Sequence, residues 1–458
     1  MTSSLDELIP LLYRARWCDL SVSARIFQRT SKPQERLRSN GLRDSEGLSE
    51  YRGRIRLAPG GRYRVDLTDQ DGDDYVAGCD GQVSWKIVGG VAERLSPIES
   101  APIPFKNLLV PNWLVARFAI DVIGTVEIGD RSAYSIHAKP RTGAYRHVGS
   151  GRDFTEVNGL IDAQLGILLR CETLDDRGAR NVSELSDIQE GRSVEEAAEV
   201  FTFPVGIASP GTGIASPASS AQPVQRKQLS SSVTAEELNL IYRSHLFPAE
   251  FSAVLSEQSN PSLVIKAARE VLGASSATAF RIINSGWIQN FTKRIPGSSS
   301  RIAEVQISMP DRYRIDFRDQ SRGSIQSIVY DGHQTMKAYH GRSGFRTARS
   351  FPSGMGLIVD PAWLLDCYKL SGEGPETFSG RAAMRFIAVA ENAAGEILEG
   401  PLSDHDVPAD RIEVTIDREL GITLRLAAYF QGQSALTCEL SEIVPHVPAD
   451  AFRLEPPG

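Results

Sequence analysis

The sequence is poor in the residues that build metal, redox and disulfide centres. Its 458 residues include five cysteines and seven histidines. The cysteines are odd in number, widely spaced and never arranged as C-x-x-C, so we expect free thiols and no zinc site. The chain contains neither an H-E-x-x-H pattern nor a G-x-S-x-G motif. We therefore predict no metal and no cofactor, and we favour a binding protein over an enzyme.

Charge and hydropathy point away from two further classes of protein. The formal net charge is −7, and the cations form no basic stripe of the kind that binds nucleic acid. No apolar run reaches the about 18 residues that a transmembrane helix needs. Asp6 and Glu7 interrupt the start of the chain, where a signal peptide would place its apolar segment. We expect a cytoplasmic protein with no transmembrane segment and no nucleic-acid partner.

A repeat at an offset of 250 residues is the strongest pattern in the chain. The segment R-Y-R-V-D-L-T-D-Q, which begins at Arg62, returns as R-Y-R-I-D-F-R-D-Q from Arg312. The segment P-N-W-L, which begins at Pro111, returns as P-A-W-L from Pro361. Two such matches in one register predict a single fold unit that is duplicated in tandem.

A stretch rich in Gly, Pro, Ser and Ala separates the two copies. Residues 205–232 contain the short sequence G-I-A-S-P twice. Such a segment buries too little apolar surface to offset the entropy that ordering it would cost. We therefore predict three parts, with unit one at 1–204, a flexible linker at 205–232 and unit two at 233–458.

Within each copy the hydrophobic pattern changes from helical to alternating. An amphipathic helix is predicted at residues 5–12 of unit one, and the same pattern falls at 263–272 in unit two. Strands follow, in which Tyr63, Val65 and Leu67 lie on one side and charged residues on the other. The pattern predicts an α+β fold of two tandem units. Each unit is expected to be a curved antiparallel β-sheet, a half-barrel, that wraps around helices.

The P-x-W-L segment predicts an internal helix in each unit. In unit two, Asp360 is a good N-cap residue and Pro361 a good first helical residue. In unit one, Val110 occupies the position that corresponds to Asp360, so the capping signal is weaker there.

These elements together resemble the lipoprotein-carrier family of LolA and LolB. The resemblance rests on the opening helix, the strand at 21–29, and the D-G…W segment that ends at Trp85. It continues in D-A-Q-L-G…L-R, which begins at Asp162, and in F-T-F-P, which begins at Phe201. The last two segments resemble the closing strands of that family.

The resemblance covers nearly all of both units apart from the linker. The pairing of P-x-W-L with a downstream segment, at 129–133 and again at 380–383, is similar to actinobacterial LolA-like proteins. The family implies a curved sheet with an apolar hollow, and a hydrophobic small molecule or lipid as the bound partner.

Five aromatic residues are candidates for the lining of such a hollow, because large rigid apolar side chains often line ligand sites. They are Trp85, Trp113, Trp287, Tyr339 and Trp363. Packing in the core is the alternative for all five. It is the favoured interpretation for Trp113 and Trp363, because each begins a helix that must dock on the sheet.

Arg64 and Arg314 are candidates for binding an anionic head group. They occupy equivalent positions in the repeated segment, and arginine binds carboxylates and phosphates through two parallel hydrogen bonds. Strand alternation alone also predicts charged residues there, on a solvent-exposed face with cross-strand ion pairs. This second interpretation is the favoured one.

Three functions remain in competition. The first is binding or carriage of a hydrophobic small molecule or lipid in an apolar cavity. The second is a cofactor-independent biosynthetic enzyme, like the violacein-pathway enzyme VioE, which shares the fold. The third is a regulatory interaction with a protein partner, like that of the RseB domain. We favour the first on the sequence.

Overall fold

The computed structural model describes most of both predicted units and none of the predicted linker. The described residues are 3–14, 21–31, 48–58, 62–80, 84–88, 91–95, 106–109, 111–141, 154–175, 180–191, 201–202, 233–243, 250–260, 262–263, 299–308, 312–319, 324–330, 335–339, 342–346, 353–390, 396–402, 406–448 and 451–452. The linker at 205–232 and Trp287 lie outside them.

The first half of the chain contains three helices and eleven strands. In order they are α1 (Ser3–Arg14), β1 (Val22–Ser31), β2 (Leu48–Ala58), β3 (Arg62–Asp69), β4 (Asp74–Asp80), β5 (Ser84–Val88), β6 (Val91–Leu95), α2 (Lys106–Leu109), α3 (Asn112–Arg117), β7 (Phe118–Ile128), β8 (Arg131–Pro140), β9 (Phe154–Asp162), β10 (Leu168–Asp175) and β11 (Arg180–Glu190). These counts refer to the described ranges only.

The second half repeats the arrangement with an added strand pair. Its described elements are α4 (Ala235–Arg243), β12 (Glu250–Ser259), β13 (Ser299–Ser308), β14 (Arg312–Asp319), β15 (Ser324–Tyr330), β16 (Thr335–Tyr339), β17 (Arg342–Arg346), the 3-10 turn Ser353–Met355, α5 (Gly356–Val359), the 3-10 turn Pro361–Trp363, α6 (Leu364–Cys367), β18 (Tyr368–Phe378), β19 (Arg381–Ala390), β20 (Glu396–Glu399), β21 (Asp406–Ala409), β22 (Arg411–Asp417), β23 (Thr423–Phe430) and β24 (Gln433–Val444).

Two antiparallel sheets of eleven strands have the same strand order. Sheet one runs β6-β5-β4-β3-β2-β1-β11-β10-β9-β8-β7, and sheet two runs β17-β16-β15-β14-β13-β12-β24-β23-β22-β19-β18. β20 and β21 form a separate two-stranded sheet. Strands dominate the described residues and the helices are short, so the helical share is smaller than the predicted α+β class implies. No described helix is long and apolar enough to cross a bilayer.

The two sheets also share their pairing register and one irregularity. β1 pairs with β11 through a bulge between Ser23 and Arg25, and β12 pairs with β24 through a bulge between Ser252 and Val254. At each bulge the strand that pairs with β1 or β12, namely β11 or β24, contains an acidic residue with positive φ. These residues are Asp187, with φ of 50°, and Glu442, with φ of 54°.

Each sheet has one apolar and one polar face. In β3, Tyr63, Val65 and Leu67 are buried, whereas the residues between them are only half-buried. The same alternation holds in β14, where Tyr313 and Ile315 are buried. We call the face that bears Tyr63, Val65 and Leu67 the apolar face of sheet one, and the opposite face its polar face.

The opening helices follow the predicted pattern only in part. α1 matches the helix predicted at 5–12, and its Leu8, Ile9 and Leu12 are fully buried. In unit two the described opening helix is α4, not the predicted segment, of which 264–272 lies outside the described residues. Leu238, Ile241 and Tyr242 supply its buried face.

The internal helix of unit two begins as predicted. The Asp360 side chain accepts a hydrogen bond from the Ala362 backbone N–H at 3.2 Å, and Pro361 occupies the first turn. The predicted cap therefore forms in the structure. Phe201, in contrast, lies in a 3-10 turn and not in a closing strand.

Contacts divide the chain into two compact units whose bounds differ from a simple halving. The first consists of residues 1–112, 120–139 and 152–230, and the second of 113–119, 140–151 and 231–458. The two sets therefore interleave along the sequence.

Within the second compact unit, Arg141 and Asp360 form an ion pair of 3.3 Å. Both side chains are 1% exposed. The Arg141 guanidinium also donates to the carbonyl oxygen of Val115 at 3.1 Å. A buried pair of this kind is stable only when further hydrogen bonds satisfy its charges.

Candidate functional site

The polar face of sheet one contains a groove that runs across four strands. Its volume is about 650 Å³. Its floor is a row of residues paired across β11, β1 and β2, namely Leu185, Ile26 and Gly53. Leu185 and Ile26 are themselves buried, so the floor shows mainly backbone.

Two parallel rows of side chains form the walls of this groove. One row is Ser186, Arg25, Arg54 and Asp66, and the other is Glu184, Phe27, Arg52 and Thr68. Residues opposite each other in an antiparallel sheet lie on the same face. The register therefore explains why eight residues from four strands meet here. We call this site the arginine groove.

Arg54 is the cation of the arginine groove that has no acidic partner among the described residues. Arg25 forms an ion pair of 3.0 Å with Asp187, and Arg52 lies 3.5 Å from Glu50. The Arg54 side chain is half-buried and has no ion pair or hydrogen bond with the residues that the structure describes. Its cross-strand neighbour Asp66 binds two other arginines instead.

Asp66 is neutralised by two other arginines. It accepts from Arg56 at 2.9 Å and from Arg64 at 2.8 Å. Glu184, the other acid of the groove, lies 3.4 Å from Arg170. Both groove carboxylates thus have partners of their own. The N–H donors of the Arg54 guanidinium line the open groove and are available to a ligand.

Gly53 allows the backbones of β2 and β3 to approach each other in the groove floor. A Cβ atom at this position would lie 1.9 Å from the backbone oxygen of Asp66. No side chain fits at that distance without a shift of the backbone. Glycine is therefore required at position 53 by the close approach of β3.

The corresponding position in sheet two has none of these cations. Because the pairing registers match, Arg25, Arg52 and Arg54 correspond to Val254, Ile302 and Glu304. Ile302 is exposed to 38%. The arginine groove is therefore a property of sheet one alone, although the strands around it are the same in both sheets.

The predicted lining residues lie in three different environments. Trp85 is fully buried on the polar face, since it stands opposite Gly78, which stands opposite Arg64. Its indole N–H donates to the backbone oxygen of Phe201 at 3.4 Å. Trp85 is thus on the opposite face from Tyr63, Val65 and Leu67.

Trp113 and Trp363 make equivalent contacts at the starts of their helices. Trp113 packs edge-on against Phe118 at 5.4 Å, and Trp363 against Tyr368 at 5.6 Å. Both tryptophans are buried, as core packing requires. Tyr339 ends β16, where its backbone pairs with Gln326. A ligand-lining role for these residues stays a prediction.

The arginines predicted to bind a head group already form hydrogen bonds within the protein. Arg64 binds Asp66 and lies over the Trp85 ring at 5.9 Å. Arg314 binds Asp316 at 2.7 Å and donates to the backbone oxygen of Ala451 at 3.1 Å. Their binding of a head group stays a prediction. Arg54, in contrast, has a half-buried side chain without a partner among the described residues.

The described thiols are free and buried. They are Cys79, Cys171 and Cys438. Burial raises the pKa of Cys171 to about 12, and it raises the pKa of Cys438 well above the usual value. Cys171 and Cys438 therefore stay protonated at neutral pH and are poor nucleophiles. Among the described residues, no group of three or more His, Cys, Asp or Glu side chains could hold a metal ion.

Comparison with known proteins gives no sequence-based family. No family model matches the chain, and no curated protein matches it. Similarity is found only among solved structures.

Three of these structures have names that describe their class. MucB, in the complex of Pseudomonas aeruginosa MucA and MucB, is 12% identical over 98% of this chain and 96% of that chain, with a TM-score of 0.26. A LolA superfamily protein from Nitrosomonas europaea is 12% identical over 43% of this chain and 96% of that chain, with a TM-score of 0.24. The Mycobacterium tuberculosis lipoprotein LppX is 16% identical over 42% of this chain and 98% of that chain, with a TM-score of 0.27.

One of the three belongs to the family that the sequence resembles. The TM-scores are too low to support a structural or functional argument. The description of the fold therefore rests on the strand order and pairing register of this chain.

The sequence pattern of β2 distinguishes the groove from the corresponding part of sheet two. In R-G-R-I-R, which spans 52–56, arginines alternate with small or apolar residues, as they would on one face of a strand. Sheet two has I-A-E-V-Q at 302–306. A difference between the two sheets, and not a shared motif, distinguishes this site.

Proposed function

We propose that this chain binds a hydrophobic small molecule or lipid that has an anionic group, and that the arginine groove of sheet one binds that group. The half-buried Arg54, which faces the groove without a described partner, is the observation that supports this proposal. A guanidinium offers five N–H donors in a planar arrangement that matches carboxylate and phosphate.

The shape and charge of the groove agree with a ligand of this kind. A volume of about 650 Å³ is that of a site for an organic molecule, since such sites span about 300–1,000 Å³. Phe27 is half-buried beside Arg52, with the guanidinium 5.7 Å from the ring centroid. Its ring and the methylene stems of the arginines offer apolar contact next to the cations.

A hydrophobic guest beneath the apolar face is a second candidate, and the continuous apolar character of that face supports it. Eleven strands at about 4.8 Å spacing make a ribbon about 50 Å wide, whereas one helix is about 10 Å across. Val22 and Ile55 on the apolar face are nevertheless almost fully buried. A sheet that curves around α1 would explain this burial, and an acyl chain would enter this core only if the strands and the helix moved apart to admit it.

Titration with a charged amphiphile tests the groove. We expect monododecyl phosphate, below its critical micelle concentration, to bind the full chain in isothermal titration calorimetry. The Arg54→Glu variant, which introduces the residue of sheet two, should bind about 10- to 100-fold more weakly, because charge-assisted hydrogen bonds contribute about 1.5–3 kcal/mol. Arg54→Lys should bind with intermediate affinity, since it keeps the charge and loses the planar donors.

Arg425→Glu serves as the control, because Arg425 is an exposed strand arginine of sheet two. It changes the net charge by the same amount and should leave binding unchanged. The neutral detergent dodecyl maltoside should bind equally to wild type and Arg54→Glu. Equal affinities of wild type and Arg54→Glu for monododecyl phosphate would refute the assignment of the groove.

Native mass spectrometry of the freshly purified protein tests the second candidate. A guest that survives in the Arg54→Glu variant would lie outside the groove and would support binding beneath the apolar face. Protein that is clean after purification from several hosts would argue against both modes of lipid carriage.

We also propose that the two sheets arose by duplication of one unit and that the protein is cytoplasmic. The shared strand order, registers and bulges support the first statement. The free buried thiols agree with the second.

A further inference from the structure

β7 lies at one edge of sheet one, and its outer side faces no other described strand. Residues from Asp121 to the end of the strand are exposed with one exception, the half-buried Val122. The exposed positions include large apolar side chains: Ile123 is 69% exposed, and Val126 and Ile128 are each 39% exposed. An unprotected edge of this kind offers a row of backbone N–H and C=O groups for pairing with another chain.

The equivalent strand of sheet two is protected. At the offset of 250 residues, Ile123, Thr125 and Val126 of β7 correspond to Glu373, Pro375 and Glu376 of β18. β18 also has a bulge between Gly372 and Gly374, and Gly374 has a φ of 97°. Charged residues, proline and bulges are the devices that prevent edge strands from pairing. Position 125 has Thr in place of this proline, and positions 123 and 126 have apolar residues in place of the charges.

We propose that the free edge of β7 binds an extended segment of another protein by strand addition. In this mode of recognition, backbone hydrogen bonds supply affinity and alternate side chains supply specificity. The residues from 121 to 128 are long enough to pair with a segment of about eight residues.

The charges of β7 determine the chemistry of that segment. Asp121 and Glu127 are exposed, and alternation places both on the same face as Ile123. An antiparallel partner that covers the strand has one residue opposite each of these three. It therefore carries Lys or Arg opposite both acids, six residues apart, and an apolar β-branched residue opposite Ile123.

The same charges disfavour a second copy of this chain as the occupant. A symmetric antiparallel pair of β7 strands centred on Gly124 uses the full exposed stretch. It places Asp121 of one copy directly opposite Glu127 of the other, and the two-fold axis repeats this contact. Like charges opposite each other destabilise a sheet, so a basic segment of a different protein is the better match.

A designed peptide tests this inference with the full chain. The probe is S-K-V-T-T-V-V-K-S, acetylated and amidated, with the lysines spaced to face Asp121 and Glu127 and one valine to face Ile123. We expect it to bind in fluorescence anisotropy and to slow hydrogen exchange of the amides in β7. The same peptide with glutamate at both lysine positions should bind at least about 10-fold more weakly.

Two variants transfer the protection of β18 to β7. Thr125→Pro removes a backbone donor, and Ile123→Glu adds a charge at an exposed position, so the second variant is a check should the first disturb folding. Each should weaken peptide binding at least about 10-fold. Glu373→Gln in β18 is the control and should leave binding unchanged.

Three outcomes would overturn the proposal. They are equal binding of the lysine and glutamate peptides, unchanged binding by both β7 variants, and a wild-type dimer in sedimentation velocity that Thr125→Pro converts to a monomer. The last result would assign the edge to a second copy. Arg54→Glu should leave peptide binding intact, so failure of this proposal can be told from failure of the arginine groove.

Discussion

Replacement of Asp417 by alanine should lower the free energy of unfolding of unit two by about 3 kcal/mol or more. The Asp417 carboxylate is fully buried and accepts hydrogen bonds from the backbone N–H groups of Glu419, at 2.8 Å, and Leu420, at 2.7 Å. It also binds the guanidinium of Arg381, and this bond raises the pKa of Arg381 above its usual value. Alanine would leave two turn donors without their acceptor and would remove the buried partner of the Arg381 guanidinium.

The same arrangement in sheet one provides a matched variant. Asp162 accepts from the backbone N–H groups of Gln164 and Leu165 and lies 2.8 Å from Arg131. Asp162→Ala should therefore destabilise unit one as Asp417→Ala destabilises unit two. Hydrogen-exchange mass spectrometry of the full chain can separate the two effects, since each variant should accelerate exchange in the strands of its own sheet.

Glu419→Ala is the control for this pair of variants. Glu419 also binds Arg381, at 3.2 Å, but its side chain is 76% exposed. A surface ion pair contributes little, so this change should alter stability by less than about 1 kcal/mol. An effect of Asp417→Ala no larger than that of Glu419→Ala would contradict the structural role of the buried carboxylate.

This Arg–Asp contact also explains why repeat motifs predicted the fold better than the site. Arg131 and Asp162 belonged to two separate sequence motifs, and the structure joins them into one interaction that recurs as Arg381 with Asp417. Both sheets have these residues at equivalent turns, where the aspartate accepts from two backbone N–H groups. The role of this shared motif in folding explains why it recurs.

The residues of the arginine groove, in contrast, differ between the two sheets. Arg54 corresponds to Glu304, so residues shared by the two sheets do not include it. Arg64 and Arg314 are shared, and each neutralises an aspartate of its own strand. Because the two sheets share their pairing register, the charge reversal between Arg54 and Glu304 supports the proposal that the groove has a function of its own.

The errors in the predicted elements have physical causes. The first strands of the two halves are offset by 229 residues, since Val22 pairs with Leu57 and Phe251 pairs with Ile307. The helix that precedes the first strand of unit two is α4, so it does not follow the offset of 250 either. The helix predicted at 263–272 rested on apolar periodicity, and 264–272 lies outside the described residues. β7 was not predicted because its distal half is exposed on both faces and shows no alternation of burial.

The contact between Gly78 and Trp85 is the second site where a substitution should change the free energy of unfolding strongly. A Cβ atom at Gly78 would lie 2.4 Å from the Trp85 ring, so Gly78→Val should displace the indole and cost about 2–4 kcal/mol. Trp85→Met should cost a similar amount, because it leaves a cavity and removes the hydrogen bond to the Phe201 backbone. In sheet two the corresponding pair is Val329 opposite Met336.

The double variant Gly78→Val with Trp85→Met introduces the pair found in sheet two. Val329 is fully buried in a cluster with Val447, Ala451 and Phe452, so a valine at this position is compatible with the strand register. Because the smaller methionine vacates the space that the valine fills, the double variant should be more stable than Gly78→Val alone. Urea unfolding of all four proteins gives the interaction free energy, expected to be at least about 1 kcal/mol in favour of the pair. Additive losses would show that volume exchange at this contact does not explain the difference between the two sheets.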